Sequence, residues 1–157
     1  MGQKVNPNGF RTAVTKGWDS TWYADPKQYV EYFHEDLKIK NFINSNYKNA
    51  EISKVVIERT SPTQINVVIS TSKVGILIGK KGAEIENMKK QLSFLTNRKV
   101  SVRVHEIPSN ILSAKVLAQE MADAIVKRTP YKKVMKSTIM KAKKFGLVGI
   151  KVSVGGR

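Results

Sequence analysis

Cysteine is absent from the 157 residues. That excludes a disulfide framework, thiolate metal sites and cysteine nucleophiles, and it fits a reducing compartment. Histidine is scarce: His34 and His105 lie far apart with no carboxylate-rich motif beside either, so neither metal binding nor acid–base catalysis has a candidate set. No enzyme activity and no cofactor are expected. No apolar run approaches the ~20 residues that cross a bilayer. The opening Met1-Gly2-Gln3-Lys4-Val5-Asn6 lacks the apolar stretch of a signal peptide, and Asn6 stands where a myristoylation signal needs Ser or Thr. The expected location is therefore the cytoplasm, without a membrane partner. Acidic residues are also few, with 12 Asp and Glu against 28 Lys and Arg, a formal charge of +16 and a pI near 10.1. Such an excess suits a ligand made of phosphates.

What is present is enough to fold. At 41% hydrophobic content, the chain can bury a core and is not a basic disordered tail. Charge rises along it: residues 1–50 hold seven basic and five acidic groups, residues 51–107 ten and five, and residues 108–157 eleven and two. The surface facing a polyanion is weighted toward the C-terminal third.

Residues 1–24, with Gly2, Pro7, Gly9 and Gly17 among Trp18, Trp22 and Tyr23, show no sustained period and read as an irregular arm. The three aromatic rings either stack on bases or anchor the arm. Asp25-Pro26 resembles a cap followed by proline at the first helical position. It opens a helical stretch that breaks and resumes before Asn49, with Leu37, Phe42, Ile43 and Tyr47 on one face. Glu51–Arg59 and Gln64–Thr71 are rich in β-branched residues and read as two strands joined by a turn at Thr60-Ser61-Pro62. Ile65, Val67 and Ile69 are expected to face the core. A short apolar run, 74–78, leads into Gly79-Lys80-Lys81-Gly82, after which Ile85, Met88, Leu92 and Leu95 form the stripe of an amphipathic helix. Val100, Val102 and Val104 alternate with polar residues as a third strand.

Pro108-Ser109-Asn110 punctuates the chain. Ala114, Leu117, Ala118, Met121 and Ile125 then mark a further helix, and Thr129-Pro130 starts another that ends at Gly146. Gly149–Val154 reads as a strand, and Gly155-Gly156 as a turn.

Two glycines flanking two lysines, between an apolar segment and an amphipathic helix, make a tight connection that a sugar-phosphate backbone can approach closely. Helix-start amides supply donors, and Lys80 and Lys81 supply charge. Such a loop clamps about four nucleotides by their backbone. A phosphate loop of nucleotide hydrolases is excluded by spacing, because Gly75 to Gly79 leaves three intervening residues and Lys80 is followed by Lys81, not Ser or Thr.

At ~100° per residue, Tyr131, Val134, Met135, Thr138, Ile139, Ala142 and Phe145 share one helix face. Lys132, Lys133, Lys136, Lys143 and Lys144 share the other, with Lys141 near the boundary. No carboxylate follows Tyr131, so a salt-bridged surface helix explains the pattern poorly. Lys127 and Arg128 extend the basic patch, and Lys4 and Arg11 supply basic groups on the arm.

Helical elements joined by G-x-x-G, after a helix and two strands and before a third strand, resemble a type II KH domain over roughly residues 36–107. Over a longer span the chain is similar to the bacterial family of small-subunit ribosomal protein three. The likeness runs from Met1-Gly2-Gln3-Lys4-Val5-Asn6-Pro7-Asn8-Gly9-Phe10-Arg11 through Trp18-Asp19-Ser20-Thr21-Trp22-Tyr23-Ala24 and Val55-Val56-Ile57-Glu58-Arg59. It continues through Gly75–Gly82 and Gly149-Ile150-Lys151-Val152.

The resemblance implies an α+β fold. An arm (1–24) precedes a helical lead-in and type II KH domain with a three-stranded sheet (25–107). Residues 108–157 are then the first part, two helices and a strand, of a second, incomplete α/β domain. Relatives continue past the equivalent of Val152–Arg157 into further strands. The resemblance also implies binding to small-subunit ribosomal RNA, contact with neighbouring ribosomal proteins, and a basic helix lining the path by which messenger RNA enters. Lys132, Lys133 and Lys136 match that cluster; the family commonly has arginine at two of these places, so the charge is kept and the planar fork is lost. A free-standing KH-domain RNA chaperone or regulator is the alternative.

Overall fold

A computed structural model describes residues 2–107 and 113–156; the Pro108-Ser109-Asn110 breakpoint lies outside the described residues. The elements in chain order are α1 (Pro7–Arg11), β1 (Ser20–Thr21), α2 (Pro26–Asn46), a 3₁₀ turn at Lys48–Ala50, β2 (Ile52–Ser61) and β3 (Gln64–Thr71). They continue with α3 (Val74–Ile78), a 3₁₀ turn at Lys80–Gly82, α4 (Ala83–Thr96), β4 (Lys99–Glu106), α5 (Ala114–Val126) and α6 (Tyr131–Lys144).

The sheet order is β1-β2-β3-β4, with β2 and β3 antiparallel and the outer pairs parallel. The expected three strands are all present, and the arm adds a short fourth by laying Ser20 and Thr21 beside Ile57 and Glu58. The arm is thus less irregular than its composition suggests. Asn6 caps α1 by accepting from the Asn8 amide at 2.9 Å, and Trp22 is fastened to α2.

Strand alternation builds the core. Val55, Ile57, Ile65, Val67, Ile69, Val100 and Val102 project to one face, where Ile39 and Ile43 of α2, Leu77 of α3, and Met88 and Leu92 of α4 cover them. Each fully buried side chain of this size contributes about 1.5–3 kcal/mol. Thr71, at the end of β3, is buried and donates its hydroxyl to the Ala50 carbonyl.

Several sequence expectations meet a different outcome in the structure. The helix that starts at Pro26 runs for 21 residues, and the expected break falls at Tyr47, before the 3₁₀ turn at Lys48–Ala50; the buried face of α2 is Tyr32, Asp36, Ile39 and Ile43, whereas Leu37 is exposed. Of the α4 stripe, Leu95 is exposed at the helix end. Gly149–Val154 forms no strand: the segment runs along α5 and α6 with Ile150 and Val152 half-buried. A single extended segment with no hydrogen-bonding neighbour has nothing to pair with.

On α5 the buried residues are Val116, Leu117 and Met121, while Ala114, Ala118 and Ile125 stay exposed. The helix rests on the sheet side through Ser113, whose hydroxyl lies 2.8 Å from that of Ser53. Both C-terminal helices end in the same way. The Arg128 amide donates to Ile125 and the Thr129 amide to Ala124; the Gly146 amide donates to Lys143 and the Leu147 amide to Ala142. These are Schellman endings, with Arg128 (φ 61) and Gly146 (φ 80) in the left-handed position.

Candidate nucleic-acid interface

The loop between α3 and α4 is built by its backbone. Gly79 donates to the Gly75 carbonyl at 3.0 Å, ending α3. The Lys80 carbonyl accepts from the Ala83 amide, and between them Lys81 (φ 54, ψ 25) and Gly82 (φ 80, ψ 8) are both left-handed. That is a type I′ turn, and it points two exposed lysines away from the domain.

The two glycines do different work. A Cβ on Gly79 would stand 2.7 Å from the Glu84 Cβ, so this glycine permits the packing of α3 against the start of α4. Gly82 has nothing within 4 Å of its missing Cβ, so it leaves open the approach expected for a sugar-phosphate backbone.

The helix end beside the loop is not a bare positive pole. Glu84 and Glu86 occupy the first turn of α4. Glu84 accepts from the Tyr47 hydroxyl at 3.2 Å; burial, with that carboxylate, pushes the phenol's pKa up. Glu86 accepts from Lys89 at 2.8 Å, which holds its carboxyl below the usual range. With two carboxylates in this first turn to offset the positive helix end, the phosphate attraction expected at this loop rests on Lys80 and Lys81 more than on the helix dipole.

The second basic surface is α6. Val134, Thr138 and Ala142 are buried against α5, with Met135 and Ile139 half-buried. Tyr131 and Phe145, expected on the packed face, sit at the helix ends and stay exposed. Lys132, Lys133, Lys136, Lys143 and Lys144 are all exposed. All of these except Lys143 line a shallow cleft together with Ser137, Met140 and Lys141. Among the described residues one lysine of the helix has an acidic partner: Lys141 reaches Glu120 of α5 at 3.4 Å. Lys143 and Lys144 lie in the last turn, where they also complement the negative end of the helix.

Lys127 and Arg128 are exposed in the turn that leads into α6, and Lys4 and Arg11 are exposed on the arm. The loop joins α3 to α4, whereas α6 packs on α5, so the predicted site residues are carried by different elements. No group of three or more metal-ligating side chains occurs among the described residues, and both histidines are exposed.

One cluster escaped the sequence reading. Arg59 is in phase with Val55 and Ile57 on the core side of β2, and its guanidinium is buried between Glu35 at 2.8 Å and Asp36 at 2.6 Å. Asp36 also accepts from the Trp22 indole at 2.8 Å. The Tyr32 ring lies against Arg59 and Arg98, at 4.5 and 4.8 Å from its centroid. The alternation of Val55, Ile57 and Arg59 was the available signal; nothing local named the partners. The network ties arm, α2 and sheet into the platform that carries the loop.

A sheet covered by helices, with a glycine-flanked lysine loop joining two of them, defines a KH-domain RNA-binding protein. The KH domain family matches residues 38–112, close to the span read from the motifs. Along the whole chain there is 51% identity to small ribosomal subunit protein uS3 of Fusobacterium nucleatum, of which 72% is covered. The uS3 proteins of Persephonella marina and Pelagibacter ubique are 47% and 45% identical, again over all of this chain and 69% of theirs. The chain belongs to the uS3 family of small-ribosomal-subunit proteins: it is a structural RNA-binding protein, not an enzyme.

Proposed function

We propose that the chain holds small-subunit ribosomal RNA in the cytoplasmic ribosome through distributed phosphate contacts and turns α6 toward messenger RNA as it enters the subunit. The observation that carries this reading is the lysine face of α6: Lys132, Lys133 and Lys136 are exposed on a packed helix that bears no carboxylate. Charge unneutralised by neighbours is charge left for phosphate. Lysine attracts phosphate as a mobile point charge, without the fixed fork of arginine, which suits a strand that must slide. Lys80, Lys81 and Gly82 contribute a second backbone contact, and Lys127, Arg128, Lys4 and Arg11 extend the positive surface. Neighbouring small-subunit proteins are the expected protein partners.

Replacing Lys132, Lys133 and Lys136 together with glutamine tests the assignment of α6. Translation through a structured messenger is expected to fall by more than translation through an unstructured one, with subunit assembly kept. Equal effects on both messengers would reduce α6 to an architectural element.

A further inference from the structure

The arm and α2 line a cleft of about 580 Å³ to which neither the loop nor α6 contributes a residue. Its size falls in the ~300–1,000 Å³ range of small-ligand clefts. One wall is flat and aromatic: Tyr29 and Phe33, one turn apart on α2, stack at 6.3 Å with their planes 6° apart, and Leu37 continues the wall. The arm contributes Trp18, which is 65% exposed and so adds little to the packing of the fold.

Trp22 has the opposite fate. Its indole is pinned to Asp36 and packs on Tyr29 and Tyr32. The tryptophans thus divide into one anchor and one free ring.

The electrostatics of the rim identify the class of ligand. Among the described residues Lys16 and Lys40 touch only neutral partners, the Asn8 side-chain oxygen at 2.9 Å and the Ser20 hydroxyl at 3.3 Å. The acidic groups of the lining are already matched, Asp19 by Lys54 at 3.2 Å and Asp36 by Arg59. Flat rings flanked by unneutralised ammonium groups suit a nucleobase with its phosphates. An apolar protein segment would leave the two charges unused.

We propose that this cleft holds an unpaired RNA base, stacked between Trp18 and the Tyr29–Phe33 platform, with Lys16 and Lys40 on the adjoining phosphates. The site is independent of the α6 reading.

The test uses the full chain, a short single-stranded oligoadenylate and a blunt RNA duplex of equal phosphate number. Trp18→Ala is expected to weaken the single strand roughly five- to a hundredfold, the range for loss of one stacked base, and to leave the duplex unchanged. Trp18→Phe keeps most of the affinity. Titration of the unmodified chain with the single strand quenches a part of the tryptophan emission that is missing in Trp18→Phe. This second readout stands even where the alanine variant fails to fold. Lys80→Asp with Lys81→Asp, measured in parallel, reports the loop separately, so failure of the cleft and failure of the loop are distinguishable. Unchanged single-strand affinity in Trp18→Ala, equal losses on both RNAs, or the absence of quenching would overturn the proposal. Wild-type oligonucleotide binding with failure to join small-subunit particles would likewise overturn it and assign the cleft to a protein neighbour.

Discussion

Arg59 is the residue on which three separate parts of the chain converge. It is 3% exposed, and besides its bonds to Glu35 and Asp36 it donates to the Tyr32 carbonyl at 3.2 Å. Its Nε has no partner among the described residues, so the network is not fully satisfied and its net worth is smaller than its contacts suggest. Breaking it is another matter. Arg59→Met takes from the buried Asp36 its one cationic partner among the described residues and leaves Glu35 with Arg98 alone, and we expect a loss of about 3–5 kcal/mol in urea denaturation, with the arm detaching as Trp22 loses its ordered acceptor. An unchanged midpoint would show that the carboxylates find other partners. The difference between Trp18 and Trp22 also belongs at this scale. Both rings sit in the same short polar segment, and only the buried Asp36 across the fold makes one of them structural.

At the level of elements, Gly79 sets the relation between α3 and α4. Its φ of 69° and the 2.7 Å separation that a Cβ would have from Glu84 act together. Gly79→Ala is therefore expected to lower stability by about 1–3 kcal/mol, through backbone strain and overpacking, and to lower RNA affinity with it. Gly82→Ala, strained but unobstructed, is expected to cost less stability. Equal thermal shifts in the two variants would contradict the division of labour.

Much of this level was legible in the sequence. Strand phases, the start of α4, the two faces of α6 and the glycine loop follow from period and spacing, which are local properties. What was missed depends on distant partners. The α2 stripe of Tyr32, Asp36, Ile39 and Ile43 keeps helical spacing, yet the charge at Asp36 disguises it, because the guanidinium that allows its burial lies on β2. Leu37 looked like core for the same reason. Gly149–Val154 has the composition of a strand, but a strand needs a neighbour, and none is paired with it here. Resemblance, more than periodicity, is what names candidate site residues, while the carboxylates at the start of α4 moderate the dipole contribution expected at the loop.

The whole molecule carries basic groups on the arm, on the α3–α4 loop and on α6, with a net charge of +16. The distributed phosphate contacts we propose predict steeply salt-dependent binding, since each neutralised phosphate releases counterions. That property is common to any protein fixed on ribosomal RNA. The distinguishing claim is that α6 meets a strand that moves. Ser137 lies in the exposed cleft among Lys133, Lys136 and Lys141, so a photo-crosslinking side chain placed there samples what the lysines face. In translating small subunits that carry this variant, irradiation is expected to join position 137 to messenger RNA, with the crosslink shifting as the messenger advances. Crosslinks confined to ribosomal RNA or to neighbouring proteins, at every position of the messenger, would contradict it.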